Sequence, residues 1–212
     1  KEILNKLDKA KDELLDKSAI IKTIDGKIKN EVQNKFIKGL VEEYFLHPVL
    51  KLAKKDESLF LEFKSTLKKD LDHGGKVEED ILINSVIKTI AGFCNTGGGD
   101  LLIGVTDDNK IIGIEEDNFK SNDEFYRNLI TQIENRTMPN LNNVVGVVDI
   151  SLNTFNDKTI CKVSVDPSDV NVIVKYKGKE LFYRRNGSKT KLLSRKEMID
   201  YIKDRDKKLV LY

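Results

Sequence analysis

The chain has 212 residues, 39% hydrophobic and 34% charged, enough apolar side chains for one cored domain with an extension. Its 37 Lys and Arg face 35 Asp and Glu, a net charge of +2, which excludes a protein that coats nucleic acid by bulk charge and leaves such contact to a local basic patch. No apolar run is long enough to span a bilayer; the isolated Cys94 and Cys161 point to reduced thiols and a cytoplasmic setting; and two histidines, His47 and His73, argue against a His-rich zinc site.

In chain order, residues 1 to about 45 place Ile3, Leu7, Ala10, Leu14, Ile21, Ile24 and Ile28 at alternating steps of four and three, broken at Lys17. That spacing is a heptad seam. The readings that stay open are a short coiled coil joining two chains, an amphipathic helix folded against the main domain, or two helices broken near Gly26. His47-Pro48 is expected to end or bend this region. The chain therefore divides into a helical arm, 1–50, and a main domain, 51–212.

The main domain reads as mixed α and β. Leu59 to Ser65 is a short strand. Glu79 to Asn95 is a helix with Ile83, Val86, Ile87, Ile90 and Phe93 on its apolar face, stopped by Gly97-Gly98-Gly99. Asp100 to Val105 is a buried-type strand. After the turn residues Asp107 to Lys110, Ile111 to Ile114 is expected as its hairpin partner. The acidic run Glu115-Glu116-Asp117 reads as a solvated loop. Asn122 to Asn135 is a second helix. Val144 to Ser151 and Thr159 to Val165 form an antiparallel pair around Asn156-Asp157. Val172 to Tyr176 and Leu181 to Arg185 form another around Lys177-Gly178. Ser194 with Glu197 is a capping box for a last helix.

Three stretches carry a family likeness: Glu57-Ser58-Leu59-Phe60-Leu61-Glu62-Phe63-Lys64; Ala91 to Asp108 with Asn95-Thr96-Gly97-Gly98-Gly99 at its centre, followed by Ile112-Gly113-Ile114; and Phe182-Tyr183-Arg184-Arg185-Asn186-Gly187-Ser188-Lys189-Thr190. Together and in this order they resemble the Schlafen-type AlbA-like domain. The resemblance spans roughly the last three quarters of the chain. It implies an α+β fold with a mixed sheet and packed helices, here preceded by the N-terminal helical segment. It also implies binding of DNA or RNA.

Some members of that family are divalent-metal-dependent endoribonucleases acting on tRNA or other structured RNA through three carboxylates. Those carboxylates map onto Glu57, Glu62 and Asp107, with Asp108 the near alternative for the third. Magnesium or manganese would suit such hard oxygen ligands. Residues five apart on one strand point to opposite faces, so Glu57 must precede the strand to meet Glu62. Glu62 and Lys64 share a face, and Lys64 is positioned to stabilise charge; an exposed, salt-bridged strand explains the same spacing. Asn95 to Gly99 is a tight turn rather than a P-loop, because no Gly-Lys-Ser/Thr follows. Arg184, Arg185, Lys189, Lys191 and Arg195, with Tyr183 among them, fit a phosphate-contacting patch with an aromatic surface, extended by Lys175 and Lys177. An ordinary charged hairpin fits them too.

The expected function is nucleic-acid binding, RNA ahead of DNA, with endoribonuclease activity. The alternative is a non-catalytic DNA-binding module of a bacterial regulator or an antiviral defence protein. The chain holds one lobe where vertebrate Schlafen proteins pair two. A homodimer, through the N-terminal helices or the lobe itself, is the expected partner, and no membrane is.

Overall fold

The computed structural model describes residues 9, 11–13, 46–71, 74–141 and 146–209. The heptad positions from Ile3 to Ile28, and His73, lie outside the described residues. The chain divides into two units, Lys1–His47 and Pro48–Tyr212; the architecture below is that of the second.

Pro48 opens helix α1 (Pro48–Ala53), at the first helical position, where a missing N–H costs nothing. Strand β1 (Leu61–Lys64) runs parallel to β2 (Gly99–Ile103), which pairs antiparallel with β5 (Lys158–Val165), itself antiparallel to β4 (Val148–Phe155). The resulting mixed sheet has the order β1-β2-β5-β4. The β4–β5 turn falls at Asn156-Asp157, both left-handed with φ of 46° and 64°, the twist that a two-residue hairpin needs. A second, antiparallel sheet has the order β3-β6-β7-β8, from β3 (Thr137–Met138), β6 (Ile173–Tyr176), β7 (Lys179–Asn186) and β8 (Lys189–Leu192).

Between the sheets lies α2 (Glu79–Cys94). Glu79 and Asp80 suit the positive end of its dipole, and its second half is buried nearly all round. Ile83, Val86, Ile87, Ile90 and Phe93 meet Leu101 and Ile103 of β2, Val163 of β5, Val174 of β6 and Tyr183 of β7 in one core. Helix α3 (Asn122–Arg136) adds Phe125, Leu129 and Ile133 to it. On the opposite face of the mixed sheet, Leu61, Phe63, Leu102 and Ile160 pack with Val49 and Ala53 of α1. Helix α4 (Arg195–Leu209) ends the domain, its capping box closed by Glu197 N–H to Ser194 Oγ at 3.3 Å and Ser194 N–H to Glu197 Oε2 at 2.8 Å.

Two expectations are corrected. Ile111 to Ile114 is not a strand: it makes a single bridge, Val105 to Ile111, and Ile114 begins a 3-10 helix (Ile114–Asp117). The acidic run is not a solvated loop. Asp117 is 1% exposed, and its carboxylate accepts from three successive backbone N–H groups, Leu67 at 2.7 Å, Lys68 at 2.8 Å and Lys69 at 3.0 Å. In the 111–114 segment the Ile112 and Gly113 N–H groups both donate to the Gly104 carbonyl, at 2.9 and 3.0 Å, a turn and not a ladder. Burial pushes the Asp117 carboxyl above its ordinary value, and the three donors pull against that rise.

Candidate nucleic-acid interface

Strand alternation sorts the first motif. Leu61 and Phe63 go down into the α1 side, so Glu62 and Lys64 emerge on the α2 side. Lys64 Nζ lies 2.6 Å from Glu62 Oε1 and also donates to the Phe63 carbonyl at 2.7 Å. Glu57 sits ahead of the strand, as the spacing demands. Its Oε1 accepts from Phe63 N–H at 2.8 Å, a donor on the free edge of β1. Burial raises the Glu57 carboxyl above its ordinary value; the Phe63 N–H opposes this, Glu62 adds to the rise, Lys64 opposes it, and Asp107 adds to it.

The other oxygen of Glu62 belongs to Arg185. Alternation on β7 turns Tyr183 and Arg185 inward, and the Arg185 side chain is 0% exposed. Its Nη1 reaches Glu62 Oε2 at 2.6 Å and Thr190 Oγ1 at 2.9 Å; its Nη2 reaches the Ser58 carbonyl at 2.6 Å and its Nε the Leu59 carbonyl at 3.4 Å. The guanidinium also lies 4.8 Å from the Phe93 ring centre. Arg185 thus joins the first and third motifs from within. Expected among the phosphate contacts, it offers no donor to solvent. Tyr183, 7% exposed, belongs to the core and presents no stacking face.

Beyond the C-terminal end of β1 a cleft of about 560 Å³ opens between the 64–71 segment, the first half of α2 and the turn after β2. Lys64, Lys69, Lys88, Asp107 and Tyr176 are among its walls. Lys88 has no ion-pair partner among the described residues. Burial, and after it the charge of Lys64, hold its ammonium below the ordinary lysine value, with Glu62 pulling the other way. Asp108, the alternative to Asp107, is spent locally: it accepts from Thr106 Oγ1 at 2.5 Å and pairs with Lys110 at 2.6 Å. Asp107 faces the cleft. Asp117, which the sequence reading set aside, fixes the backbone of the segment that carries Lys69.

The basic hairpin does not line this cleft. Arg184 faces a separate pocket of about 250 Å³ with Tyr201, Asp204 and Arg205, its guanidinium 5.2 Å from the Tyr201 ring centre. Lys189, Lys191 and Arg195 are exposed, Lys191 in an ion pair with Glu197 at 2.7 Å. Lys175 is exposed on β6. Lys177 lies over Tyr176, 5.4 Å from its ring centre, and pairs with Glu78 at 3.6 Å. The Asn95 turn is structural. Asn95 is 0% exposed; its side chain donates to the Val172 and Tyr183 carbonyls at 2.8 and 2.9 Å and accepts from Val172 N–H at 2.8 Å. A Cβ on Gly99, at φ +155°, would meet the Phe93 ring at 2.5 Å, so only glycine fits.

Glu57 feels the charges of Glu62 and Asp107, yet as placed the three do not suit a shared divalent ion. Both oxygens of Glu62 are held at 2.6 Å by cationic nitrogens. Among the described residues, no three His, Cys, Asp or Glu side chains cluster closely enough to hold a metal.

The two sheets, the central helix and the charged cleft define a small α+β lobe of AlbA-like type. Residues 57–194 match the family model described as Schlafen, AlbA_2. That is more than half of the chain, and the chain belongs to this family, whose function is related to nucleic acid. The crystal structure of the DIP2311 protein from Corynebacterium diphtheriae is similar with a TM-score of 0.48 and 18% identity over 76% of this chain; the chain spans 28% of that protein's length. No curated protein matches. Among the described residues no helix is long and apolar enough to cross a membrane.

Proposed function

We propose that this domain holds a nucleic acid by its phosphate backbone, RNA ahead of DNA, with Lys88 as the central contact in the cleft. The observation that carries this reading is an ammonium group partly withdrawn from water and left without a carboxylate. Such a charge is costly to hold, and a phosphate oxygen is the anion that nucleic acid brings to it. Lys64, paired with Glu62, and Lys69, 3.7 Å from Glu116, line the same cleft. The test is fluorescence anisotropy with labelled single-stranded RNA, tRNA and duplex DNA across a salt series. Affinity is expected to fall as salt rises and to drop about tenfold in Lys88→Met. Unchanged affinity in that variant removes the reading.

A second reading is a divalent-metal-dependent endoribonuclease acting on tRNA or other structured RNA. The charges of Glu62 and Asp107 felt at Glu57 favour it. It requires Glu62 to leave Lys64 or Arg185. Cleavage of tRNA with manganese, absent with chelator and lost in Asp107→Ala, would establish it; intact RNA in every lane would leave binding alone. In either reading a homodimer supplies the second lobe, which light scattering of the purified chain checks.

A further inference from the structure

Among the described residues, the most exposed large apolar side chain is Phe60, at 54%. It stands in the turn that feeds β1, on the α2 side shared with Glu62. Its backbone is held at both ends: Phe60 N–H donates to Ser58 Oγ at 3.2 Å, and the Phe60 carbonyl accepts from Asp100 N–H at 2.8 Å. Ser58 N–H closes the turn onto the Leu61 carbonyl at 2.9 Å. The carbonyls of Ser58 and Leu59 are taken by buried Arg185. An exposed ring on so well-held a backbone has little backbone freedom to lose on binding.

The ring's seat is equally specific. A Cβ on Gly97 would lie 3.0 Å from the Phe60 ring edge, tighter than ordinary contact, so the glycine leaves room for the ring where it is. The same guanidinium that holds this turn also holds Thr190 at 2.9 Å. Lys189, its exposed neighbour at the β7–β8 tip, is therefore tethered to the same turn as the ring. An aromatic surface with a free ammonium on the adjoining element is the arrangement on which a single strand lays a base and its phosphate.

We infer that Phe60 is a base-stacking platform for a single nucleic-acid strand, with Lys189 contacting the backbone beside it. This rests on the nucleic-acid reading above and assigns the ligand's bases a site outside the cleft. The chain contains no tryptophan, so Phe60→Trp introduces a single emitting indole at the platform. Its emission is expected to be quenched by a single-stranded oligonucleotide, and not by a strand of equal length whose sugars carry no bases. Phe60→Leu keeps an apolar side chain on the exposed turn and should weaken binding of the base-bearing strand roughly tenfold, with the baseless strand unaffected. Binding seen by anisotropy with unchanged indole emission, or equal loss for both strands in Phe60→Leu, overturns the platform and leaves the backbone reading standing. Failure of the wild-type chain to bind either strand overturns both.

Discussion

Glu62 and Lys88 belong to one neighbourhood and live under opposite rules. At Glu62 every charge is answered: two carboxylate oxygens, two cationic partners, and a guanidinium whose remaining donors end on carbonyls and a hydroxyl. At Lys88 a charge is partly buried and left waiting. The first arrangement holds the fold; the second, in the function proposed above, is what a ligand would complete. Charges that look alike in a sequence divide into architecture and function by whether the protein completes them.

The sharpest way to break this contrast is Arg185→Met. It leaves Glu62 buried with Lys64 alone, and breaking one side of such a pair costs about 3–5 kcal/mol. Urea unfolding should show a loss of that size. Replacing both partners in Glu62→Met/Arg185→Met should recover much of it, since an apolar pair leaves no orphaned charge. Asp117→Ala comes next. It leaves three backbone N–H groups without their carboxylate, and the loss of about 2–4 kcal/mol should be accompanied by faster amide exchange at Leu67, Lys68 and Lys69.

Lys88→Met tests the other half of the contrast. Burial lowers its folded pKa below the unfolded value of 10.5. Its contribution to stability is therefore complete above that value and is lost as pH falls through the lower, folded one. At pH 7 the penalty stands in full. The variant should melt on the order of 2 °C higher at neutral pH, with the gain shrinking as pH rises through the lysine range, while its nucleic-acid affinity falls. A variant that melts lower and binds normally would place Lys88 among the structural charges. The smallest effect is expected for Asp107→Asn: stability within about 0.5 kcal/mol of the parent, and binding strengthened a few-fold by removal of an acid from a phosphate site.

Much of this division was legible, and the rest has identifiable reasons for being hidden. Period-two alternation put Glu62 and Lys64 on one face, and the five-residue step from Glu57 required it to precede the strand. The Asn156-Asp157 and Lys177-Gly178 turns and the Ser194-Glu197 box follow from local chemistry. Arg185 was misplaced because burial of an arginine depends on a partner 123 positions away, which no local pattern encodes. The same alternation that sorted β1 would have turned Tyr183 and Arg185 to one side of β7, had the hydrophobic Tyr183 been used to set the face. Asp117 hid in an acidic run because its three ligating N–H groups lie 48 to 50 residues upstream. β8, with Lys189-Thr190-Lys191, is too polar to read as a strand, and only its pairing to β7 makes it one.

The Arg185 clasp also sets an order of events during synthesis. The acid on β1 leaves the ribosome first, and the guanidinium that answers it follows only with β7, 123 positions later. Until then Glu62 has Lys64 alone, and the turn carrying Phe60 lacks two of the five hydrogen bonds that hold it. The clasp therefore closes late, through contacts of long sequence separation that slow folding. A fragment ending before Lys179 should retain α2 and the mixed sheet in outline, yet leave the entrance to β1 unfastened.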